Sequence, residues 1–382
     1  MKIQIVRNGH LTWLNLPCTE QELQDAEQEI GITDPTDTKV LLVDIDSGIS
    51  ELNVLSGKVH DLDHLNLLAR YIHGMCEREF NQYRAALFIT KATELKDIIN
   101  LTQHTQNYSL ITPIDTLESA GRNHYLDLHG CYTVGEEEKL NFPGIAAELI
   151  ASGKGINTPY GLVFENGLDC PEFFNGENIP CYYDRQFVFG YSISNGYNEE
   201  YIFLPCHEDE ITKALHRLGV QDLSQCRVSY EDFGLDATTP FHSLIEELEV
   251  TELYDLNRLA YEIQDFNAEK LIKLYALFAY TQEHECIDPI RAMTCLADHI
   301  DDFDFAPNAA NTEELGEYLI RDSGRYDYDP ELEDYYMFNQ FGEDTMSEQD
   351  GMFLEMGYVG IRDDIQLWEI LEQDGQQMGG IQ

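Results

Sequence analysis

Short apolar runs and helical stripes alternate along the chain. Near the amino terminus, Asn8-Gly9 stands between two short apolar runs, which predicts a tight β-hairpin because both residues tolerate a positive φ. The same pair recurs as Asn195-Gly196 in the middle of the chain. Each pair therefore predicts one hairpin of a small antiparallel sheet.

A helical stripe follows the first hairpin. Its apolar residues are Leu23, Ala26 and Ile30. Thr19, with Glu22 three residues later, has the pattern of a capping box, and Gly31 predicts a left-handed helix end. We therefore expect one helix to cover the small sheet.

The chain contains an internal repeat. Residues 13–23 superpose on residues 201–211 at an offset of 188, so that Leu16-Pro17-Cys18 pairs with Leu204-Pro205-Cys206. Through small gaps the match continues, and Leu65–Ala69 pairs with Leu256–Ala260. Because the order is kept, the sequence predicts two divergent copies of one unit in tandem.

The middle of each copy has a helical pattern. The apolar stripes are Leu65, Leu68, Ala69 and Ile72, and then Leu256, Leu259, Ala260 and Ile263. Further helices are predicted near residues 78–88, 94–104, 267–279 and 289–300. Thr312 is expected to cap a helix that Gly324 ends, with a diverged counterpart around residues 117–126. Aromatic and glycine-rich stretches at 155–164 and 351–361 predict short terminal strands.

These elements predict an α+β fold. We expect an elongated tandem duplication in which each copy has a small antiparallel sheet with a covering helix, a helical middle and a small α/β end. The first, divergent copy spans residues 1–165 and the second spans 186–362. Residues 166–185, with Pro171, Asn175-Gly176 and Pro180, are predicted to be a linker, and residues 363–382 a carboxy-terminal tail.

The charge of the chain is strongly unbalanced. It has 71 acidic and 23 basic residues, a formal charge of -48, yet 43% of its residues are hydrophobic, which is enough for packed cores. Such a charge argues against direct contact with a phosphate backbone or an anionic membrane, because both would repel the protein. It favours cationic partners.

The second copy is the more acidic one. Residues 1–190 carry a net charge of -15, and residues 191–382 carry -33. Between Asp298 and Asp374 there are 23 carboxylates and only three bases, interleaved with aromatic residues. This mixture indicates a folded acidic surface and not a solvating tail.

Cysteine usage and the amino terminus bear on the compartment. The nine cysteines form no Cys-x-x-Cys pair and are odd in number, which is typical of a reduced protein. The first residues lack the apolar core of a signal peptide, and no apolar run approaches the roughly 18 residues of a membrane span. We therefore expect a cytoplasmic protein.

Motifs of catalysis and metal binding are incomplete. Asp232-Phe233-Gly234 imitates the magnesium triplet of kinases, but its repeat partner Asp46-Ser47-Gly48 indicates a scaffold turn. Gly153-Lys154-Gly155 lacks the rest of a phosphate loop. The acidic run His207–Glu210 stands at a predicted helix start, where carboxylates offset the helix dipole. The sequence predicts no catalytic residue, no cofactor and no metal site.

The charge itself is the remaining functional signal. Duplex DNA carries one phosphate per roughly 1.7 Å of axis, so 48 charges correspond to about 24 base pairs, or on the order of 80 Å. Carboxylates along a rod would suit the basic cleft of a DNA-binding enzyme. A plain acidic or salt-adapted protein, whose charges serve solubility, is the alternative that composition leaves open.

Several motifs of the second copy resemble the ArdA family of antirestriction proteins. Thr312–Ile320, preceded by Asp302–Pro307, is similar to that family's antirestriction motif region. The other similar segments are Leu204–Ile211, Leu253–Leu259, Phe341–Asp344 and Gly357-Tyr358. The resemblance covers about residues 186–362, and more weakly residues 1–165.

Membership of that family would imply a non-catalytic mimic of bent B-form DNA, carried on plasmids, conjugative elements or phages. Such a protein occupies the DNA site of type I restriction-modification enzymes. Ordinary members are single units that pair, so the chain would be a pseudo-dimer, or would form a homodimer. The first copy has Ala120–Tyr125 in place of Leu-Gly-Glu-Tyr and is less acidic, so it is expected to be a second mimic, a platform, or a contact to a different subunit.

The predicted interaction surface consists of carboxylates. They are Asp298, Asp301, Asp302, Asp304, Glu313, Glu314, Glu317, Asp327, Asp329, Glu331, Glu333 and Asp334. Leu315, Gly316 and Tyr318 are expected to shape the motif helix or a subunit contact. The expected partner is a basic DNA-binding cleft of a defence complex, with no direct contact to nucleic acid or membrane.

Two other functions share parts of this pattern. An inhibitor of another DNA-binding defence complex, such as a CRISPR effector, would need the same charge. An enzyme or ligand-binding protein with an acidic surface would instead need a deep pocket with converging groups of shifted pKa.

Overall fold

A computed structural model describes residues 1–181, 186–236, 239–247, 253–284, 288–362 and 365–372. The chain divides into two units of similar size. The first comprises Met1–Asp184 with Thr212–Gly219, and the second comprises Arg185–Ile211 with Val220–Gln382. In the described residues, no helix is both long and apolar enough to cross a membrane.

The first unit begins with a four-stranded antiparallel sheet. Its strands are β1 (Lys2–Arg7), β2 (His10–Asn15), β3 (Lys39–Asp46) and β4 (Val59–Asp61), in the order β2-β1-β3-β4. Asn8 and Gly9 both have a positive φ, of 51° and 83°, and join β1 to β2 with Arg7 opposite His10. The tight hairpin predicted here is therefore confirmed.

The predicted covering helix is present. Helix α1 spans Glu20–Glu29, and Thr19 and Glu22 form the reciprocal capping box. Gly31 follows with a φ of 78°. The predicted stripe Leu23, Ala26 and Ile30 is buried against the sheet residues Ile3, Ile5 and Leu42 in one core.

Helices form the middle of the first unit. They are α2 (Leu62–Gly74), α3 (Glu77–Thr90) and α4 (Leu95–Gln103). A small end domain follows, built from β5 (Tyr108–Ile111), α5 (Leu117–His129), α6 (Val134–Glu137), α7 (Phe142–Ala151), β6 (Ile156–Thr158) and β7 (Gly161–Glu165). The sheet order is β5-β7-β6, and the stretch at 155–164, for which short terminal strands were predicted, forms the hairpin of β6 and β7.

The second unit begins with a three-stranded sheet. Its strands are β8 (Phe189–Ser194), β9 (Glu199–Leu204) and β10 (Arg227–Phe233), in the order β10-β8-β9. Helix α8 spans Glu208–Arg217, and its residues from Thr212 onward are counted with the first unit. Ser194 pairs with Glu199, so four residues form the loop, and Asn195 is not in the left-handed region. The hairpin predicted at Asn195-Gly196 is therefore present, but its loop is longer than the tight turn expected. The Asn195 carboxamide accepts hydrogen bonds from the amides of Tyr197 and Asn198, each at 2.9 Å.

The rest of the second unit follows a similar order, although its described middle has four helices and its described end domain has two. Its helical middle consists of α9 (Pro240–Glu247), α10 (Leu253–Ile263), α11 (Ala268–His284) and α12 (Pro289–Asp298). The end domain consists of β11 (Phe303–Pro307), α13 (Thr312–Glu317), α14 (Phe338–Glu348), β12 (Met352–Leu354) and β13 (Gly357–Ile361), followed by α15 (Leu367–Glu372). Its sheet order, β11-β13-β12, is that of β5-β7-β6.

One asparagine in each unit holds the end of the second strand. The Asn66 side chain donates to the carbonyl of Cys18 and accepts from its amide, both at 3.0 Å. Asn257 makes the same two hydrogen bonds with Cys206, both at 2.8 Å. The repeated Leu-Asn pair of the sequence therefore has one structural role in both units.

The segment predicted as a linker packs on the first unit as far as it is described. Phe174 is buried in the core of that unit, and the Asn100 carboxamide accepts from the amides of Phe173 and Phe174. Residues 182–185 lie outside the described part. In the predicted tail, Ile370 and Leu371 of α15 are buried, and residues 363–364 and 373–382 lie outside the described part.

Candidate interaction surface of the second unit

Helix α13 carries the predicted motif, and its cap is one residue earlier than expected. The Asn311 carboxamide accepts from the amide of Glu314 at 3.0 Å, so Asn311 and not Thr312 is the N-cap. The Thr312 hydroxyl instead donates to the Asn339 side chain at 2.7 Å. Glu314 accepts from the amide of Ala310 at 2.7 Å, which fixes the loop before the helix.

Leu315 and Gly316 pack α13 inside the end domain. Leu315 is fully buried in a cluster with Ala306 and Tyr358. A Cβ at Gly316 would lie 1.9 Å from the carbonyl oxygen of Phe338, so α13 and α14 touch backbone to backbone. Both residues therefore shape the motif helix. Tyr318 is half-buried, and burial raises the pKa of its hydroxyl.

The first unit keeps this helix crossing although its motif has diverged. A Cβ at Gly121 would lie 1.8 Å from the carbonyl oxygen of Phe142. Ala120 beside it is buried, like Leu315 in the second unit. The glycine is thus the residue that the backbone geometry requires in both units.

We expect Gly316→Ala to lower the free energy of unfolding of the second unit by about 2 kcal/mol, because the added methyl group pushes α13 away from α14. Gly135→Ala is the matched control, since a Cβ there meets nothing within 4 Å. Urea unfolding followed by circular dichroism measures both variants. If Gly316→Ala unfolded at the same urea concentration as the Gly135→Ala control, the close contact of α13 with α14 would be contradicted.

Most of the predicted carboxylates lie at the surface. The exposed ones are Asp298, Asp301, Glu313, Glu314, Asp327, Asp329, Glu331, Glu333 and Asp334, and Asp302 and Glu317 are half-buried. We call these eleven residues the carboxylate surface. They lie on α12, on the turn between α12 and β11, on α13 and on the segment that follows α13. Neighbouring charges are therefore held by short elements of one end domain and by the helix before it.

His299 lies between two members of the carboxylate surface. Its Nδ1 is 2.7 Å from Asp302, and its Nε2 is 4.0 Å from Asp298. The ring therefore holds Asp302 in a fixed position beside β11. Asp298 stays mostly exposed.

Asp304 does not belong to the surface, and this part of the sequence prediction is wrong. Its side chain is 2% exposed on β11. Arg325 binds both of its oxygens, Arg362 donates from Nε, and Gln349 donates at 2.6 Å. Burial alone would raise the pKa of Asp304, but these hydrogen bonds lower it to about 2. Asp304 is therefore a buried structural anion.

A lysine completes the surroundings of Asp304. Lys273 on α11 donates to the carbonyl of Phe303 at 2.9 Å. Burial and the neighbouring charge of Arg362 lower the pKa of Lys273 to about 8. The most acidic part of the chain thus contains a local cluster of three cations around one carboxylate.

Arg321 organises the loop after α13. Its guanidinium lies 4.8 Å from the centroid of the Phe338 ring and 5.7 Å from that of Tyr328. It also pairs with Glu333 and, at 3.6 Å, with Glu317. We call this arrangement the arginine clasp. It ties two members of the carboxylate surface to α14.

The first unit contains the same clasp, which the sequence comparison missed. Arg122 lies over the rings of Phe142, at 4.5 Å, and Tyr132, at 5.7 Å. It also pairs with Glu137 and Glu118. Two rings, two carboxylates and one guanidinium are therefore common to both units.

Each unit has a cavity among its described residues. A cavity of about 240 Å³ in the first unit has a polar and charged lining, and several of its charged side chains pair with one another. Lys39 binds Asp61, and Lys213 and Arg217 bind Asp63. A cavity of about 470 Å³ in the second unit has one ionisable side chain, Asp265. We assign no chemistry to either cavity.

In the described segments, no group of three or more His, Cys, Asp or Glu side chains has the geometry of a metal site. The exposed carboxylates of the second unit are thus spread along a surface and do not converge on one point.

The fold and the carboxylate surface define an acidic α+β protein with many exposed carboxylates on its second unit. Residues 194–360 match the model of the family described as "Antirestriction protein (ArdA)". The chain is thus similar to this family of antirestriction proteins over the larger part of its second unit. No curated protein matches the chain. The match confirms the resemblance noted for the second copy, and the tandem duplication stays a prediction, supported by the shared order of elements.

Proposed function

We propose that the protein is a DNA mimic that occupies the DNA-binding site of type I restriction-modification enzymes. The observation that carries the proposal is the carboxylate surface, eleven acidic side chains held on one end domain and the adjoining helix. Such a surface attracts the basic cleft that otherwise binds phosphates. The ArdA family consists of non-catalytic inhibitors that act on restriction-modification enzymes, which agrees with a binding function.

The ion pairs that the basic residues of this region form within the protein support this proposal. The only bases between Asp298 and Asp374 are Arg321, Arg325 and Arg362. Arg325 and Arg362 bind the buried Asp304, and Arg321 forms the clasp. Arg325 and Arg362 thus pair with an anion outside the carboxylate surface, and Arg321 pairs with two of its eleven members, so the surface remains strongly negative.

A competition assay tests the proposal directly. We expect the purified protein to displace a fluorescent duplex from a type I methyltransferase, and the apparent affinity to fall steeply between 50 and 200 mM salt, by on the order of a thousand-fold. A flat salt dependence would argue against charge mimicry. Absence of displacement would remove the proposed target.

The alternative target needs its own arm of the assay. A DNA-bound CRISPR effector, offered the same protein at the same salt concentrations, tests the second kind of defence complex. Displacement there and not from the methyltransferase would assign the protein to that system. Small-angle scattering of the free protein tests the predicted elongated shape.

The first unit has a place in the same proposal. Its net charge is lower, but it keeps the helix crossing at Gly121 and the clasp at Arg122. These features support the view that it is a second, weaker mimic and that the chain is a covalent pseudo-dimer. Carriage on a mobile element and action in the cytoplasm follow from the proposed targets and are part of the proposal.

A further inference from the structure

One segment of the second unit exposes apolar side chains among its acids. In residues 326–337, which we call the aromatic loop, Tyr335 is 81% exposed, Met337 68% and Leu332 49%. Large apolar side chains that are gathered on one exposed segment often mark a protein interface. The loop therefore offers contacts that charge alone does not supply.

The conformation of the aromatic loop is fixed by its own contacts. The Tyr336 ring is stacked on Phe338, with centroids 5.6 Å apart, and lies 5.5 Å from Tyr328. The Tyr336 hydroxyl also accepts from the amide of Asp329 at 3.1 Å. These contacts, with the clasp at Arg321, turn Tyr336 inward and leave Tyr335 and Met337 outward.

The charge around these apolar groups selects the kind of partner. The carboxylates of the loop are Asp327, Asp329, Glu331, Glu333 and Asp334. A second copy of the chain would bring the same five negative charges against them, and a nucleic acid or an anionic membrane would bring phosphates. Each of these would be repelled, whereas a basic protein surface would be attracted.

We propose that the aromatic loop is a docking element that inserts Leu332, Tyr335 and Met337 into apolar hollows of a basic protein surface. This inference rests on the proposed function, because the basic DNA cleft of the restriction-modification enzyme is the surface in question. Burial of the three side chains adds contact energy that salt does not screen. The carboxylates steer the encounter, and the apolar groups slow dissociation.

The corresponding loop of the first unit is a natural reference. It has the same clasp at Arg122, and acidic residues at Glu136 and Glu138, but its large exposed apolar side chain is Val134, at 78% exposure. The described structure places no exposed tyrosine or methionine in residues 131–141. The apolar contact is therefore proposed for the second unit alone.

The test removes the apolar groups and keeps every charge. In the full chain, Leu332→Ser, Tyr335→Ser and Met337→Ser are combined, and binding to the type I methyltransferase is measured at several salt concentrations. We expect an affinity loss on the order of thirty-fold with an unchanged slope against salt. Val134→Ser is the matched control and is expected to bind like the wild type.

Each outcome of this experiment decides a separate point. A triple variant that binds as tightly as the wild type, with a wild-type circular dichroism spectrum, overturns the docking element and leaves the mimic intact. A wild-type chain that does not bind refutes the proposed function, and the docking element with it. Sedimentation that shows a wild-type dimer and a monomeric triple variant would assign the loop to self-association and would also overturn the inference.

Discussion

Asp304→Asn is expected to lower the free energy of unfolding of the second unit by about 3–5 kcal/mol, because it leaves buried cations without their anion. Arg325 and Arg362 both bind this carboxylate, and Lys273 lies beside them. Asparagine has the same shape, so the loss measures charge and not volume. The loss should appear in urea unfolding at pH 7, while Asp327→Asn, at an exposed position, should leave stability within about 0.5 kcal/mol of the wild type.

The pH dependence of stability gives a second readout of Asp304. Its pKa is about 2 in the folded protein and 3.8 in its ordinary state, so the folded state favours the charged form. The stabilisation is complete above about pH 4 and is lost as the pH falls toward about 2. The Asp304→Asn variant should lack this part of the acid transition. An unchanged acid transition would mean that another carboxylate holds the arginines.

Reversal of six surface charges is expected to weaken binding to the target by more than about a thousand-fold, because each lysine turns an attraction to the basic cleft into a repulsion. The six changes are Asp298→Lys, Asp301→Lys, Glu313→Lys, Asp327→Lys, Glu331→Lys and Asp334→Lys. These side chains are exposed, so the fold should be kept. Each single change should alter affinity only a few-fold, since the energy is spread over many exposed charges.

A matched set in the first unit separates local from total charge. It consists of Asp25→Lys, Asp44→Lys, Asp46→Lys, Glu77→Lys, Asp97→Lys and Glu148→Lys, which are also exposed positions. If the target recognises the carboxylate surface, the first-unit set should lower the affinity far less than the second-unit set. Equal losses would show that net charge alone drives binding, and full activity of the second-unit set would refute the assigned surface.

Short sequence motifs predicted helix ends and turns well where one or two residues determine the backbone conformation. The capping box at Thr19 and the turn at Asn8-Gly9 were read from sequence and are present. Asn195-Gly196 has the same letters but a four-residue loop. The Asn-Gly dipeptide alone does not fix the length of the loop, because an asparagine side chain can instead hydrogen-bond to the backbone amides that follow it.

The candidate site was predictable as a region and not residue by residue. Acid density located the exposed members of the carboxylate surface, but Asp304 was included although it is buried. Its burial depends on Arg325 and Arg362, which are 21 and 58 residues away along the chain. The scarcity of bases in this region was the available signal, since each isolated arginine in an acidic stretch needs an internal role.

The two clasps do not align by number. The offset that pairs Gly121 with Gly316 also pairs Arg122 with Glu317, a residue of opposite charge. A π-helical turn at Tyr318–Asp322 carries Arg321 to the same rings from further along the helix. Chimeras of the two halves should therefore exchange residues 117–142 and 312–338 as whole cassettes. A swap made position by position would put the carboxylate of Glu317 in the place of the Arg122 guanidinium, which lies over two aromatic rings.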